Sequence, residues 1–233
     1  MDPGESVCKT KKKSRLIPLL MNTILHPAYF PPVAHFVALV NTRVVFETAD
    51  NYQKQTYRNR MYVYGPNGRQ LLTVPVKHTG KNGRQRYKDV KIEYAFNWRK
   101  QHWKTLETLY RSSPFFEFYE DDIRPVFSKA HPFLTDLTLE TIATVCNCLQ
   151  MDFSPETTKA YQETIPGATD LRTLTDAKTG FDPSFEEYSQ VFGERYGFMS
   201  NLSILDLLFN LGPAAVAYLE RQNLSSINNV LLF

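Results

Sequence analysis

The 233-residue sequence predicts an α/β protein: a mixed sheet built on an amino-terminal βαβ-like unit and a β-hairpin, with a mainly helical carboxyl-terminal part. Three observations carry this expectation. Strand-like and helix-like apolar patterns alternate over residues 19–47, a turn sequence divides two apolar runs near residue 67, and from residue 97 the apolar spacing lengthens to the helical three and four.

The apolar run Leu19–Leu25 suits a buried first strand. It leads into "LHPAYFPPVAHF" (Leu25–Phe36), where Pro27, Pro31 and Pro32 stiffen the backbone, and then into a short helix from Val33 to Asn41. "RVVFE" (Arg43–Glu47) is a second, β-branched strand. Strand, helix and strand in this order suggest a βαβ unit, with an antiparallel return as the alternative. "RNRMYVYGPNGRQLLTVPV" (Arg58–Val76) is the clearest local signal, a hairpin in which Asn67-Gly68 supplies the positive φ angles of a tight turn. The loop Lys77–Arg86 then reaches Tyr87–Glu93, a further expected strand.

Asn97 is a candidate N-cap for a helix that ends before Pro114. Spacing at about 100° per residue groups Trp98, His102, Trp103, Leu106, Leu109 and Tyr110 on one broad face, and leaves Glu107 and Arg111 as an i,i+4 pair elsewhere. Leu134–Gln150 is a second helix, residues 151–199 are mostly loop, and Asn201–Glu220 is a helix broken around Gly212-Pro213. The expected organisation is a disordered basic tail over residues 1–15 and a single domain over 16–233, mainly sheet in 16–96 and mainly helical in 97–233.

Composition narrows the function classes. A hydrophobic content of 42% with 13% aromatics fills a real core. The sequence has no apolar run of roughly 18 residues and no cleavable leader pattern, so a cytoplasmic protein without a membrane span is expected. Cys8, Cys146 and Cys148 form no C-x-x-C pair, which points to reduced thiols, and the five histidines lack metal-ligand spacing, so neither metal nor cofactor is expected. Residues 1–111 carry 20 Lys and Arg against 7 Asp and Glu, whereas residues 112–233 carry 7 against 17. That segregation fits either an electropositive cleft for an anionic small molecule or two halves that neutralise each other. Nucleic acid is not the expected partner, because no reader motif is present and the acidic half repels a long polyanion.

Strong catalytic motifs are absent: no G-x-S-x-G, Walker loop, G-x-G-x-x-G or H-E-x-x-H occurs. Four weaker constellations remain. In the first, His26 and His35 flank the strand-to-helix crossing, a position similar to the H-x-G-H site of nucleotidylyltransferases, where histidines stabilise charge on a phosphate. A proline-stiffened turn is the competing reading. In the second, Asp50, Asn51, Lys54, Asn59 and Arg60 follow the second strand, where open α/β folds bind ligands. The third is the basic loop with Gly80 and Gly83, a phosphate cradle or an ordinary hairpin loop. The fourth is His102, either a core histidine or, if a polar loop covers its helix, an acid or base beside a ligand.

Four ordered segments resemble the WbqC-like family. His26-Pro27-Ala28-Tyr29-Phe30-Pro31 with Ala34 to Phe36 is similar to its opening Q-P-x-Y/F-x-P-x-x-G/A-x-F, and Asp50-Asn51 through Asn59-Arg60, then Leu72–Val76, to its second segment. Trp98, His102, Thr105, Leu106, Glu107, Tyr110, Pro114, Phe115 and Phe116 nearly complete its W-x-x-x-H-x-x-T-L/I-E-x-x-Y-x-x-x-P-F/Y-F pattern, and Leu202–Pro213 follows in the same order. His26 departs from the usual glutamine, and the stretch after Asp152 is shorter than in many relatives. The resemblance implies a role in bacterial surface polysaccharide biosynthesis of the O-antigen type, with an acyl- or aminoacyl (glycine)-transferase acting on a nucleotide-linked amino sugar. An acylated carrier or activated amino acid would be the donor. The expected site then has His102 and Asp50 as catalytic groups, and His26, Tyr29, His35, Asn51, Lys54, Asn59, Arg60, Glu107 and Tyr110 as substrate contacts. The alternatives are a non-catalytic binding or assembly protein of the same pathway, or a degenerate nucleotidylyltransferase-like nucleotide binder.

Overall fold

A computed structural model describes residues 22–77, 84–178, 181, 183–223 and 227. The basic tail and the pair Gly80 and Gly83 lie outside the described residues. Strand β1 (Asn22–Leu25) and strand β2 (Arg43–Phe46) run parallel, with Thr23 opposite Val44 and Leu25 opposite Phe46. They are joined by α1 (Val33–Asn41), the βαβ unit expected from the sequence. Val33 through Ala38 are all buried, as in a helix enclosed on every side. Pro32, at the N-cap, has no side-chain acceptor for the first N–H groups, so a distant segment supplies the partners. Val33 N–H donates to the Leu202 carbonyl and Ala34 N–H to Asn201 Oδ1, each at 3.0 Å.

The loop between β1 and α1 is buried although irregular, which is costly unless every backbone group finds a partner. Its prolines remove three N–H groups from that requirement. Tyr29 N–H donates to the Tyr57 carbonyl, Phe30 N–H to Thr141 Oγ1, and Ser203 Oγ to the Phe30 carbonyl. Phe30 adopts φ +37°, a left-handed conformation that costs roughly 1–2 kcal/mol in a residue with a Cβ. Full burial of its ring, stacked on Phe127, contributes about 2–3 kcal/mol and offsets that strain.

Strands β3 (Arg60–Gly65) and β4 (Gly68–Thr73) form the expected hairpin as a separate antiparallel sheet. Gly65 pairs with Gly68, so the loop residues are Pro66 and Asn67, and only Gly68 takes a positive φ, +93°. Asn67-Gly68 is therefore not the left-handed pair expected. Proline fixes φ near −65° at the first loop position, and the glycine behind the turn absorbs the left-handed step instead. The strand expected at Tyr87–Glu93 is also corrected: Tyr87–Asp89 is a single 3-10 turn, followed by isolated bridges from Lys91 to Phe133 and Ile92 to Val76. Its backbone bonds are divided among Asp50, Pro132, Pro75 and Leu134, so no one strand partners it continuously.

Helix α2 (Trp98–Tyr110) begins and ends as the spacing requires, but Asn97 makes no side-chain cap bond. Helix α3 (Phe116–Ser128) is not foreseen in the sequence, because Pro125 breaks the pattern from inside. Helix α4 (Leu134–Cys148) follows, with the Cys146 and Cys148 thiols both pushed up to about 12 by burial. Within the loop-like stretch lie two short strands, β5 (Glu156–Thr157) and β6 (Ala168–Asp170), and the single turn α5 (Gly193–Tyr196). Helix α6 (Ile204–Leu211), a 3-10 turn and α7 (Ala215–Arg221) end the order, broken at Gly212 as expected. A Cβ at Gly212 would lie 2.6 Å from the Phe115 ring, and its φ of +52° also requires glycine.

β5 and β6 complete a four-stranded sheet in the order β5-β2-β1-β6, parallel throughout. All four strands therefore end at one edge. Helices α6 and α7 pack on α1, while α2, α3 and α4 pack in series around the Tyr29 and Phe30 rings. Among the described residues, no helix is long and apolar enough to cross a membrane.

Candidate functional site

The chain leaves β1 at His26, β2 at Glu47, β5 at Thr158 and β6 at Leu171, all on the same edge of the sheet. β1 has its successor β2 on one side and β6 on the other, the kind of position where crevices open in parallel α/β sheets. The loops after β2, β5 and β6 are fixed by charged side chains. Glu47 Oε1 accepts from Ala49 N–H at 2.7 Å, Asp50 N–H at 3.1 Å and Thr158 Oγ1 at 2.7 Å, tying the loops after β2 and β5 together. Arg172 donates to both oxygens of Asp170 and to the carbonyls of Gln162 and Glu163, and its guanidinium lies 5.2 Å from the centre of the Tyr161 ring.

His26 stands where β1 meets this crevice. Its Nδ1 donates to the Glu47 carbonyl at 3.0 Å, and its Nε2 lies 3.3 Å from Asp50 Oδ2. A neutral imidazole carries one N–H and satisfies only one of these contacts; both together require a second proton. Burial, the largest influence, and the Arg58 charge push that proton off, while Asp50 and the Glu47 carbonyl hold it on. The balance lowers the His26 pKa below its ordinary value. Burial raises the Asp50 carboxyl, but His26, the Asn51 N–H and Arg58 outweigh it and keep it ionised.

Arg58 is a buried cation at the same place, 1% exposed. Its contacts are long: 3.5 Å to Asp50 Oδ2 and 3.4 Å to Thr56 Oγ1, with the Tyr87 ring face 5.4 Å away. Among the described residues its Nε has no hydrogen-bond partner. Unmet donors on a buried guanidinium cost about 1–3 kcal/mol each, so Arg58 is held here at an energetic cost.

These groups line a cavity of about 250 Å³ that His26, Asp50, Arg58, Tyr161, Asp170 and Asp176 enclose with threonines from the loop after β6. A second cavity of about 390 Å³ is lined by Asn51, Arg86, Lys159 and, again, Asp50 and Tyr161. The inner space holds three carboxylates against two arginines, and the outer one holds two cations against a single carboxylate. A wider groove of about 560 Å³ runs between the hairpin and the outer side of α2, but its walls are lysine, glutamine and threonine side chains of the surface. Buried titratable groups line the crevice and not this groove.

Of the residues expected from the sequence, His26, Asp50 and Asn51 line the two cavities. Lys54 is exposed on the connecting loop. Asn59 is buried and donates to the Val74 carbonyl at 2.8 Å, and the half-buried Arg60 opens β3. Glu107 pairs with Arg111 on the half-exposed side of α2. Tyr110 donates to the buried Asp206 at 2.9 Å while its oxygen accepts Tyr64 N–H, and the Tyr188 hydroxyl and Gln190 amide also reach that carboxylate. His102 lies in the core: Tyr29 Oη is 3.0 Å from Nδ1, and the ring also bonds the Thr73 backbone. Burial lowers its pKa to about 4. His35 is 3% exposed with both nitrogens unpartnered among the described residues, and burial with the nearby His26 lowers it to about 3. Neither His35, His102, Tyr29 nor Tyr110 lines the crevice cavities.

The crevice also contains Arg58, Tyr161, Asp170, Arg172 and Asp176, none of them singled out from the sequence. Arg58 stands within the polar stretch Thr48–Arg60, but its burial depends on Tyr87 and on the loop after β6. The pair Asp170 and Arg172, two residues apart, is the one local signal available in an otherwise patternless stretch.

A family model described as the WbqC-like protein family matches residues 26–179, which span the crevice from His26 to Asp176. The chain is also 27% identical over 229 residues to the uncharacterized protein Rv1507c of Mycobacterium tuberculosis, covering 84% of this chain and 96% of that one. No solved structure matches it.

Proposed function

The chain belongs to the WbqC-like protein family, and on that premise we propose that it is a cytoplasmic acyl- or aminoacyl-transferase of bacterial surface polysaccharide biosynthesis. Its acceptor is the amine of a nucleotide-linked amino sugar. The observation that carries the reading is the His26–Asp50 pair, which has room for one further proton at the wall of a cavity at the carboxyl ends of parallel strands. As the sugar amine attacks the acyl carbonyl of an activated amino acid or acylated carrier, the new C–N bond forms and the amine proton passes to this pair. The bond to the donor's leaving group breaks, and the proton leaves with that group. The carboxylates of the inner cavity suit an amine and hydroxyls; Arg86 and Lys159 of the outer one suit the phosphates.

The rival reading is a non-catalytic assembly protein. It is favoured by one fact: Glu47 and Arg172 spend their charges on holding loops. A thermal-shift series with UDP-, GDP- and dTDP-amino sugars and coenzyme A separates the two. An amino-sugar nucleotide raises the melting temperature of the parent by several degrees and does so less in Asp50→Asn and His26→Asn. A parent that responds to none of them sinks the transferase reading.

A further inference from the structure

The two cavities share a wall, and Tyr161 is half of it. The residue is 48% exposed although it sits between two lined spaces, and one face of its ring is covered by the Arg172 guanidinium. Arg172 cannot swing away without releasing Asp170 and two backbone carbonyls, so the ring stands on a fixed support. An aromatic ring held rigid, half exposed and flanked by Arg86 and Lys159 has the make-up of a stacking wall beside an anion site. The inner cavity also meets Tyr161, but its three carboxylates suit the amine and hydroxyls of a sugar and not a nucleobase.

We infer that Tyr161, backed by Arg172, is the specificity-determining platform on which the base of a nucleoside diphosphate stacks while its phosphates meet Arg86 and Lys159. This assignment rests on the nucleotide-linked acceptor proposed above, and deepens it: the base and phosphates lie in the outer cavity, and the linked sugar points inward past Asp50 to His26. A phosphate-bearing ligand without a planar ring gains nothing from the platform. One with a ring gains the stacking energy in addition to the charge contacts.

Calorimetric titration tests this with pyrophosphate, UDP, GDP and dTDP on the parent, Tyr161→Ala, Tyr161→Phe and Lys159→Glu. The parent binds at least one nucleoside diphosphate about tenfold or more tightly than pyrophosphate. Tyr161→Ala erases that ratio and leaves pyrophosphate affinity unchanged, Tyr161→Phe retains the ratio, and Lys159→Glu weakens all four ligands alike. Because Tyr161 is half exposed, the variants fold, and a melting curve on each verifies it. A parent that binds pyrophosphate and the nucleotides equally, or a Tyr161→Ala variant that keeps the parent's ratio, overturns the platform while leaving the phosphate site standing. A parent that binds none of the four overturns the nucleotide reading, and the platform with it.

Discussion

His26 and His102 are both buried histidines, each touching two partners, yet they belong to opposite kinds of environment. His102 bonds Tyr29 and the Thr73 backbone, packs against Trp98 at 5.2 Å, and its two bonds can both be met by a neutral ring. His26 bonds a carbonyl and a carboxylate, lies beside a cation, and opens on a cavity. Its contacts need a proton that its surroundings are reluctant to keep. What separates the two histidines is the chemistry of the second partner, a hydroxyl or a carboxylate, and not the degree of burial.

The comparison can be broken most sharply by removing each ring in turn. In the proposed transfer reaction, His26→Ala lowers turnover at least a hundredfold, the range of general acid–base catalysis. A smaller loss in a product-release assay would make the pair structural. His102→Ala, in contrast, leaves a cavity and an unmet tyrosine hydroxyl, and lowers unfolding free energy by about 2–4 kcal/mol in urea. Its turnover at a temperature where it remains folded stays within severalfold of the parent.

Acid sharpens the contrast next. His35 and His102 have pKa values of about 3 and about 4 in the folded protein, below the ordinary 6.5 that they regain on unfolding. The unfolded chain therefore binds more protons below pH 6.5, so their contribution is intact above that pH and is lost as pH falls toward 4. Each ring costs roughly 1.4 kcal/mol per pH unit in that window. Asp50 has linkage of the same sign in a lower window: its folded pKa is also depressed, so its contribution is lost only below the usual carboxylate range. Denaturant midpoints measured between pH 4 and 7 give a shallower slope for His35→Leu than for the parent; an unchanged slope would mean that the ring already finds a proton in the fold. The smallest effect is at the surface, where Glu107→Ala shifts the melting temperature by less than about 2 °C, because its ion pair with Arg111 is half exposed.

The parts legible in the sequence are those whose cause is local. The βαβ unit, the hairpin, α2, α4 and the break at Gly212 each announce themselves through period, proline or glycine within a short window. α3 is hidden by Pro125, and β5 and β6, at two and three residues, are too short to show a period at all. The site follows the same division. His26 and Asp50 stand where strands end, a place that can be reasoned to, whereas Arg58 is buried by Tyr87 and Tyr161 is fixed by Arg172. His102 and Tyr110, both singled out in the sequence, instead serve packing: a hydroxyl bonded to a ring in one case and a carboxylate bonded by three donors in the other.

The sheet order also bears on how the protein is made. β1 lies between a neighbour that follows it closely and one whose Ala168 pairs back to Asn22, so half of the crevice exists long before the other half has been synthesised. Until then one flank of β1 presents unpaired N–H and C=O groups, the kind of edge that recruits foreign strands. A ribosome paused before residue 168 would hold a chain with that flank of β1 open, and the few residues of β6 that complete the sheet also remove the hazard.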